Sequence, residues 1–235
     1  MFLRRVCTCS PLPAARRSLS AFSADSLLSA ANRSKCVACL KKTSGLPFKS
    51  EKSSQAYAAV LIPICVARSG DVGLLFTRRS GTISRHVRQV SFPGGIKDPT
   101  DNSYEDCALR ETEEEIGLPR SRVQIWGAAE LIRIPGSAAI MPVLASIENF
   151  SIDELKLNKD EVDEAFVINI ETLCSPNVRK HTQFKRSRIP GYSAPVFVVS
   201  PQKRVWGITG YMTNLFLNCF VPKGAFNSKV EYIKP

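Results

Sequence analysis

The segment GGIKDPTDNSYEDCALRETEEEIGL, residues 94–118, decides how this 235-residue chain is read. Gly94-Gly95 follow Pro93 in a turn, and residues 98–102 read as loop. Residues 103–116 are predicted as a helix: Ser103 is a good N-cap, no Gly or Pro interrupts the run, and Gly117 followed by Pro119 stops it. At about 100° per residue, Glu111, Glu114 and Glu115 fall within an arc of roughly 100° on one face. Ala108, Leu109, Thr112 and Ile116 share a neighbouring arc that can face a core, while Glu113 lies on neither and is expected in solvent. Three carboxylates crowded in this way repel one another. A hard divalent cation, Mg²⁺ or Mn²⁺, relieves that repulsion, because such ions prefer carboxylate and water oxygens. An ion held there would polarise a phosphoryl group and acidify a bound water, with a neighbouring glutamate taking the proton. Arg110 can pair with one of the carboxylates and fix its direction, and Gly95 leaves room for its carbonyl to join the metal shell. Taken alone, a glutamate run is more often a solvated helix face.

The spacing of the whole segment decides the matter. It resembles the Nudix box, in which a glycine, a first acidic residue and a closing R-E-U-x-E-E-x-G-U (U apolar) stand at set intervals. Gly95 matches the opening glycine, and Arg110, Glu111, Glu114, Glu115, Gly117 and Leu118 match the close. Thr112 stands at a usual aliphatic position, Asp101 replaces the first Glu, and eight residues rather than seven separate Asp101 from Arg110. The resemblance implies a Nudix-type α/β/α sandwich with a mixed β-sheet and a metal-dependent diphosphatase. It assigns metal ligation to Glu111, Glu114, Glu115 and Gly95, and catalytic roles to Glu111, Glu114 and Arg110.

Just upstream, Arg79-Ser80 and Phe92-Pro93-Gly94-Gly95 are similar to the signature of the Nudix subgroup that hydrolyses coenzyme A. Ser84, with Arg85 beside it, stands at that signature's second arginine position, and Arg88 replaces its glycine. The runs Glu161-Val162-Asp163-Glu164-Ala165-Phe166 and Val205-Trp206-Gly207-Ile208-Thr209 also look like this subgroup. The likeness implies cleavage of coenzyme A or acyl-CoA to 3′,5′-ADP and (acyl-)4′-phosphopantetheine, with hydrolysis of NADH or ADP-ribose as the enzymatic alternative. A polyanionic substrate wants cations beyond the metal, and Arg78, Arg79, Arg85 and Arg88 are at hand in one segment, their forks suited to phosphate oxygens.

Working outward, the apolar run AYAAVLIPICVA (residues 56–67) reads as a buried strand, with Asp71-Val72-Gly73 as a turn before a second strand over 74–77. Further strands are expected near 89–92, 123–134, 139–147, 165–170 and 196–199, and a closing helix over 205–220 carries Trp206, Phe216 and Phe220 as core. Residues 176–192 are polar and basic and read as a surface loop, and Glu161 and Glu164 as a solvated turn.

The net charge of +11 is unevenly spread. Residues 1–50 hold nine Lys/Arg against one acid, Asp25, which leaves only +3 for residues 51–235. A near-balanced body argues against a nucleic-acid face. The Arg- and Ser-rich, acid-poor start fits a mitochondrial presequence, so residues 1–50 are taken as leader and disordered linker, residues 51–235 as the Nudix domain, and the matrix as its destination. No apolar run is long enough for a membrane span. Cys36-x-x-Cys39 has no second pair to complete a zinc site, and Cys65, Cys107, Cys174 and Cys219 read as small buried residues.

Overall fold

A computed structural model describes residues 21–43, 56–81, 88–133, 138–186 and 189–233. Its centre is strand β1 (Tyr57–Ala67), the apolar run expected to be buried. β1 pairs in parallel with β6 (Ala139–Phe150) and antiparallel with β2 (Val72–Arg79), so the sheet is mixed, as expected. The strand order is β3 (Val90–Ser91), β2, β1, β6, β5 (Gln124–Ala128), with β4 (Gly94–Ile96) also on β1 and β7 (Val162–Asn169) also on β2.

Successive side chains of a strand point to opposite faces, and β1 divides its side chains accordingly. Ala59 and Leu61 join Val143, Ala145, Cys107 and Ala108, which places helix α3 (Tyr104–Ile116) on one face. Ile62 and Ile64 face a second, larger core with Leu144, Phe76, Phe216 and Phe220, the last two from α5 (Gly207–Phe220). The layers are therefore α3, sheet, α5. That is the α/β/α sandwich expected from the box. A smaller sheet is added by β8 (Arg179–Arg186), β9 (Ile189–Val198), β10 (Arg204–Val205) and β11 (Glu231–Ile233). A short helix α4 (Ile170–Cys174) caps β7.

Three readings of the sequence are corrected here. Residues within the supposed leader and linker form two helices, α1 (Ala24–Leu27) and α2 (Ala30–Lys42), with α2 packed on α5 and α1 against α2. Leu27, Cys36 and Leu40 are buried in the larger core. Composition hid them: Lys35, Lys41 and Lys42 of α2 are exposed, while Cys36 and Leu40, one turn apart, share its inner side, and Leu27 closes α1. Asn32 donates to the Phe220 carbonyl at 2.9 Å, and the Arg33 guanidinium donates to Gln124 at 2.6 Å while lying over the Trp126 ring. Second, Cys39 and Cys219 are joined in a disulfide between α2 and α5, with their Cα atoms 5.7 Å apart. Third, the basic loop over 176–192 is largely the antiparallel hairpin β8–β9. Lys180, His181 and Gln183 are exposed on both faces of β8, and an edge strand open to water can be polar without being a loop.

Candidate active site

The site is built where β4 passes the middle of α3. Gly94 has φ +147°, a conformation open to glycine, and a Cβ there would overlap the Ala59 carbonyl and lie 2.6 Å from the Val60 α-carbon. The chain thus hugs β1, and the Gly94 N–H points at helix α3, donating to Glu115 Oε2 at 3.3 Å. Next door, the Glu111 carboxylate rests on the α-carbon of Gly95, where an added Cβ would stand 2.6 Å from Glu111 Oε1. Two of the predicted acids and the two predicted glycines therefore meet.

Helix α3 is fixed at both ends as the sequence required. Ser103 Oγ accepts from the Asp106 N–H at 3.0 Å, and Gly117 closes the helix in the left-handed region at φ +67°. Cys107, Ala108, Thr112 and Ile116 are buried, and Thr112, the departure from the usual aliphatic, satisfies its hydroxyl on the Ala108 carbonyl at 2.6 Å. Glu113 and Glu114 are exposed.

The acids differ sharply in surroundings. Glu115 is only 3% exposed, and burial pushes its pKa up to about 8 against the opposing pull of the Gly94 N–H and the Arg79 guanidinium. Burial also raises Glu111, opposed by Arg110. Arg110 gathers the other carboxylates: Nε and Nη2 each lie 2.9 Å from Asp101 in a two-pronged pair, and Nη1 lies 2.9 Å from Glu111 and 3.0 Å from Glu114. Asp101, buried and also accepting from the Asp98 N–H at 2.8 Å, is held well below the ordinary carboxylate range, chiefly by its bonds to Arg110. The shorter acid in a box one residue longer thus still reaches the arginine.

The four basic residues separate. Arg78 is paired with Glu164, its neighbour across β2–β7, at 2.9 Å. Arg79 instead faces the site, its Nη1 3.8 Å from Glu115. Arg88 has φ +55°, and its side chain passes Gly81. Arg85 lies outside the described residues. One residue set aside in the sequence belongs here: Glu161 lies close enough to Glu111 and Glu115 to push both of their pKa values up, and its carbonyl accepts from the Ser80 N–H at 2.8 Å. Its signal is the Glu161–Phe166 run, although Glu161 and Glu164 by themselves read as a solvated turn.

The donors suit a hard cation: carboxylate oxygens, one of them nearly sealed from water, beside a glycine backbone with no Cβ in the way. In the arrangement observed, no three described His, Cys, Asp or Glu side chains converge on a point that could hold an ion. Glu114 is turned out to Arg110, away from Glu115.

With the box geometry in place, the class is settled: residues 57–191 match the NUDIX domain, more than half of the chain, and the chain belongs to that family. Among known proteins it is 37% identical over 196 residues to the mitochondrial coenzyme A diphosphatase NUDT8 of Mus musculus, covering 83% of this chain and 90% of the relative. It is 38% identical to the Homo sapiens protein of the same name, covering 73% of this chain and 72% of the relative. The peroxisomal coenzyme A diphosphatase NUDT7 of Mus musculus is 34% identical over 139 residues, covering 59% of this chain and 57% of the relative.

Proposed function

We propose that the chain is a divalent-metal-dependent diphosphatase acting on coenzyme A and acyl-CoA in mitochondria, with the matrix as its compartment. The observation that carries this reading is the buried Glu115 carboxylate, set beside Glu111 and the Gly94-Gly95 backbone with an arginine at its edge. The relatives whose names specify coenzyme A support the substrate, and the mitochondrial ones support the location. The leader then lies ahead of α1, since α1 and α2 are packed into the fold.

Glu111, Glu115 and the Gly95 carbonyl are the groups that would hold Mg²⁺ or Mn²⁺, with Glu114 one turn away from Glu111. When bound, such an ion neutralises phosphate oxygens and acidifies water. The protein's own part is positioning and proton transfer. Arg110, fixed by Asp101, aims Glu111 and Glu114. Arg79, Arg85 and Arg88 meet the substrate's anionic oxygens, whereas Arg78 is committed to Glu164. Water oxygen bonds to phosphorus as the P–O bond of the anhydride breaks, and the proton lost by water goes to a carboxylate of the trio, of which Glu114 is the solvent-facing member.

The experiment is a substrate panel with product identification, run with and without divalent metal. Coenzyme A should give 3′,5′-ADP and 4′-phosphopantetheine only when metal is present. If NADH or ADP-ribose is cleaved and coenzyme A is untouched, the substrate assignment fails. Glu114→Gln should fold normally, because the side chain is exposed, yet lose most turnover; full activity would remove Glu114 from the chemistry.

A further inference from the structure

We propose that Arg79 is a countercharge that occupies the divalent ion's place beside Glu115 until the ion arrives, and is then handed to the phosphate oxygens of the substrate. The inference rests on the metal-dependent diphosphatase reading and adds a division of labour within its site.

Two guanidinium groups account for why the acids do not converge. Arg110 draws Glu111 and Glu114 toward Asp101, and Arg79 attends Glu115. A lone carboxylate that is almost sealed from water is costly unless paired, and Glu115 has a single backbone N–H at 3.3 Å besides Arg79. Arg79 is a poor permanent partner. Its nearest nitrogen stands 3.8 Å from the carboxylate, beyond hydrogen-bond range, and its buried Nε has no acceptor among the described residues. A fork with unused donors next to an acid awaiting a cation is arranged to be released.

The neighbouring arginine is the control supplied by the fold. Arg78 precedes Arg79 in β2, so the two point to different sides; its buried Nε also has no acceptor among the described residues, but its Nη1 is locked to Glu164 at 2.9 Å, and that ion pair is what Arg79 lacks. The register of β2 on β7 shifts between the two, which frees Arg79 from a cross-strand partner of that kind. An arginine cannot shed its charge in a protein. A doubly charged ion taken up at Glu115 therefore repels Arg79, and the planar fork finds its match in phosphate oxygens.

The test separates metal from substrate. Mn²⁺ binding to the full chain is measured by calorimetry without substrate, for the wild type, Arg79→Met and Arg79→Lys, with KM measured alongside. Arg79→Met should bind Mn²⁺ on the order of fivefold more tightly, the fold-change that a partly exposed ion pair is worth when it no longer competes. Its KM for coenzyme A should rise about tenfold or more, one charge-assisted bond being lost. Arg79→Lys should keep the wild-type Mn²⁺ affinity and still raise KM, because charge suffices for the first role and the fork is needed for the second. A merely structural arginine would weaken Mn²⁺ binding on removal, so unchanged or weaker binding by Arg79→Met overturns the proposal.

Should Arg79→Met not fold, the wild type decides. The Arg79 Nε–H resonance, assigned by its loss in Arg79→Lys, must shift on adding Mg²⁺ without substrate, and a static resonance overturns the proposal. If Arg79→Met tightens Mn²⁺ binding while the wild type ignores coenzyme A, the substrate reading fails and the countercharge stands.

Discussion

Two adjacent glycines should fail in opposite ways when each is replaced by alanine. At Gly94 the methyl meets backbone: it overlaps the Ala59 carbonyl and comes within 2.6 Å of the Val60 α-carbon, and φ +147° is itself unfavourable for an L-residue. The backbone conformation costs about 1–3 kcal/mol and the overlap a similar amount, so Gly94→Ala should lose roughly 2–5 kcal/mol of stability. That is a large part of the about 5–15 kcal/mol that holds an ordinary domain. At Gly95, φ is not in the left-handed region, and the methyl's nearest neighbours are atoms of the Glu111 carboxylate, the far end of a flexible side chain. Glu111 swings away, at the cost of its contact with Arg110, while the alanine recovers about 0.5–1 kcal/mol of strand preference. Gly95→Ala should therefore unfold within about 1 kcal/mol of the wild type, yet bind Mn²⁺ about 10–100-fold more weakly, with turnover down about 100-fold. Urea denaturation and calorimetric Mn²⁺ titration read the two quantities separately. A Gly94→Ala protein as stable as the wild type, or a Gly95→Ala protein with intact Mn²⁺ affinity, would refute the placement of Glu111 and Glu115 on this backbone.

Three further outcomes follow from the same geometry. Asp101→Asn leaves Arg110 without its two-pronged acid and should lower stability by about 2 kcal/mol at neutral pH. Because Arg110 depresses the Asp101 pKa, that stabilisation is present above the ordinary carboxylate value of about 4 and is lost as pH falls below it. Melting temperatures between neutrality and pH 3 should fall more steeply for the wild type than for the variant, and parallel curves would deny the pairing. Burial raises the Glu115 pKa to about 8, so folding at neutral pH must protonate a carboxyl that is ionised in the unfolded chain; Glu115→Gln removes that cost while keeping an acceptor for the Gly94 N–H, so it should be more stable than the metal-free wild type by about 1–3 kcal/mol and lose turnover. A lower melting temperature would mean that the carboxylate is not sealed as observed. Reducing Cys39–Cys219, which links positions 180 apart, should cost up to about 5 kcal/mol by the chain-entropy account and leave Cys39→Ser unaffected by reductant; a wild-type melt insensitive to reductant would show the pair unlinked.

Much of this was legible from residues 94–118, because helix caps, glycines and acid spacing act locally. The Ser103 cap, the Gly117 stop and the face shared by Glu111 and Glu115 all follow from neighbours in the chain. The inward run of β1 was equally plain, since a strand buried on both faces has to be apolar throughout. What escaped were features fixed by distant partners. Nothing near Cys39 announces Cys219, and nothing near Leu27 or Leu40 announces Phe216 and Phe220. The hairpin β8–β9 was missed because an edge strand in water keeps charged side chains. The signature singles out Arg79, and strand alternation sends Arg78 to the other face, but that Arg78 ends on Glu164 is seen only in the fold.

The division of the fold into two faces bears on how such a site is tolerated. On the α3 side, small residues (Ala59, Ala108, Ala145, Cys107) pack with Leu61 and Val143 beneath a helix that carries repelling acids and one nearly sealed carboxylate, and Ile116 and Leu118 join Leu75, Ile147 and Phe150 at its end. The opposite side holds the large side chains: Phe76, Phe92, Phe216 and Phe220, with Leu27 and Leu40 brought in by the helices that precede the NUDIX domain. Burying a Leu or Phe contributes about 1.5–3 kcal/mol each, so α1 and α2 add stability of the size that the acidic site consumes. The clasp of α2 on α5 is then best understood together with α3, as a part of the chain whose apolar burial offsets the cost of a charged helix on the far side of one sheet.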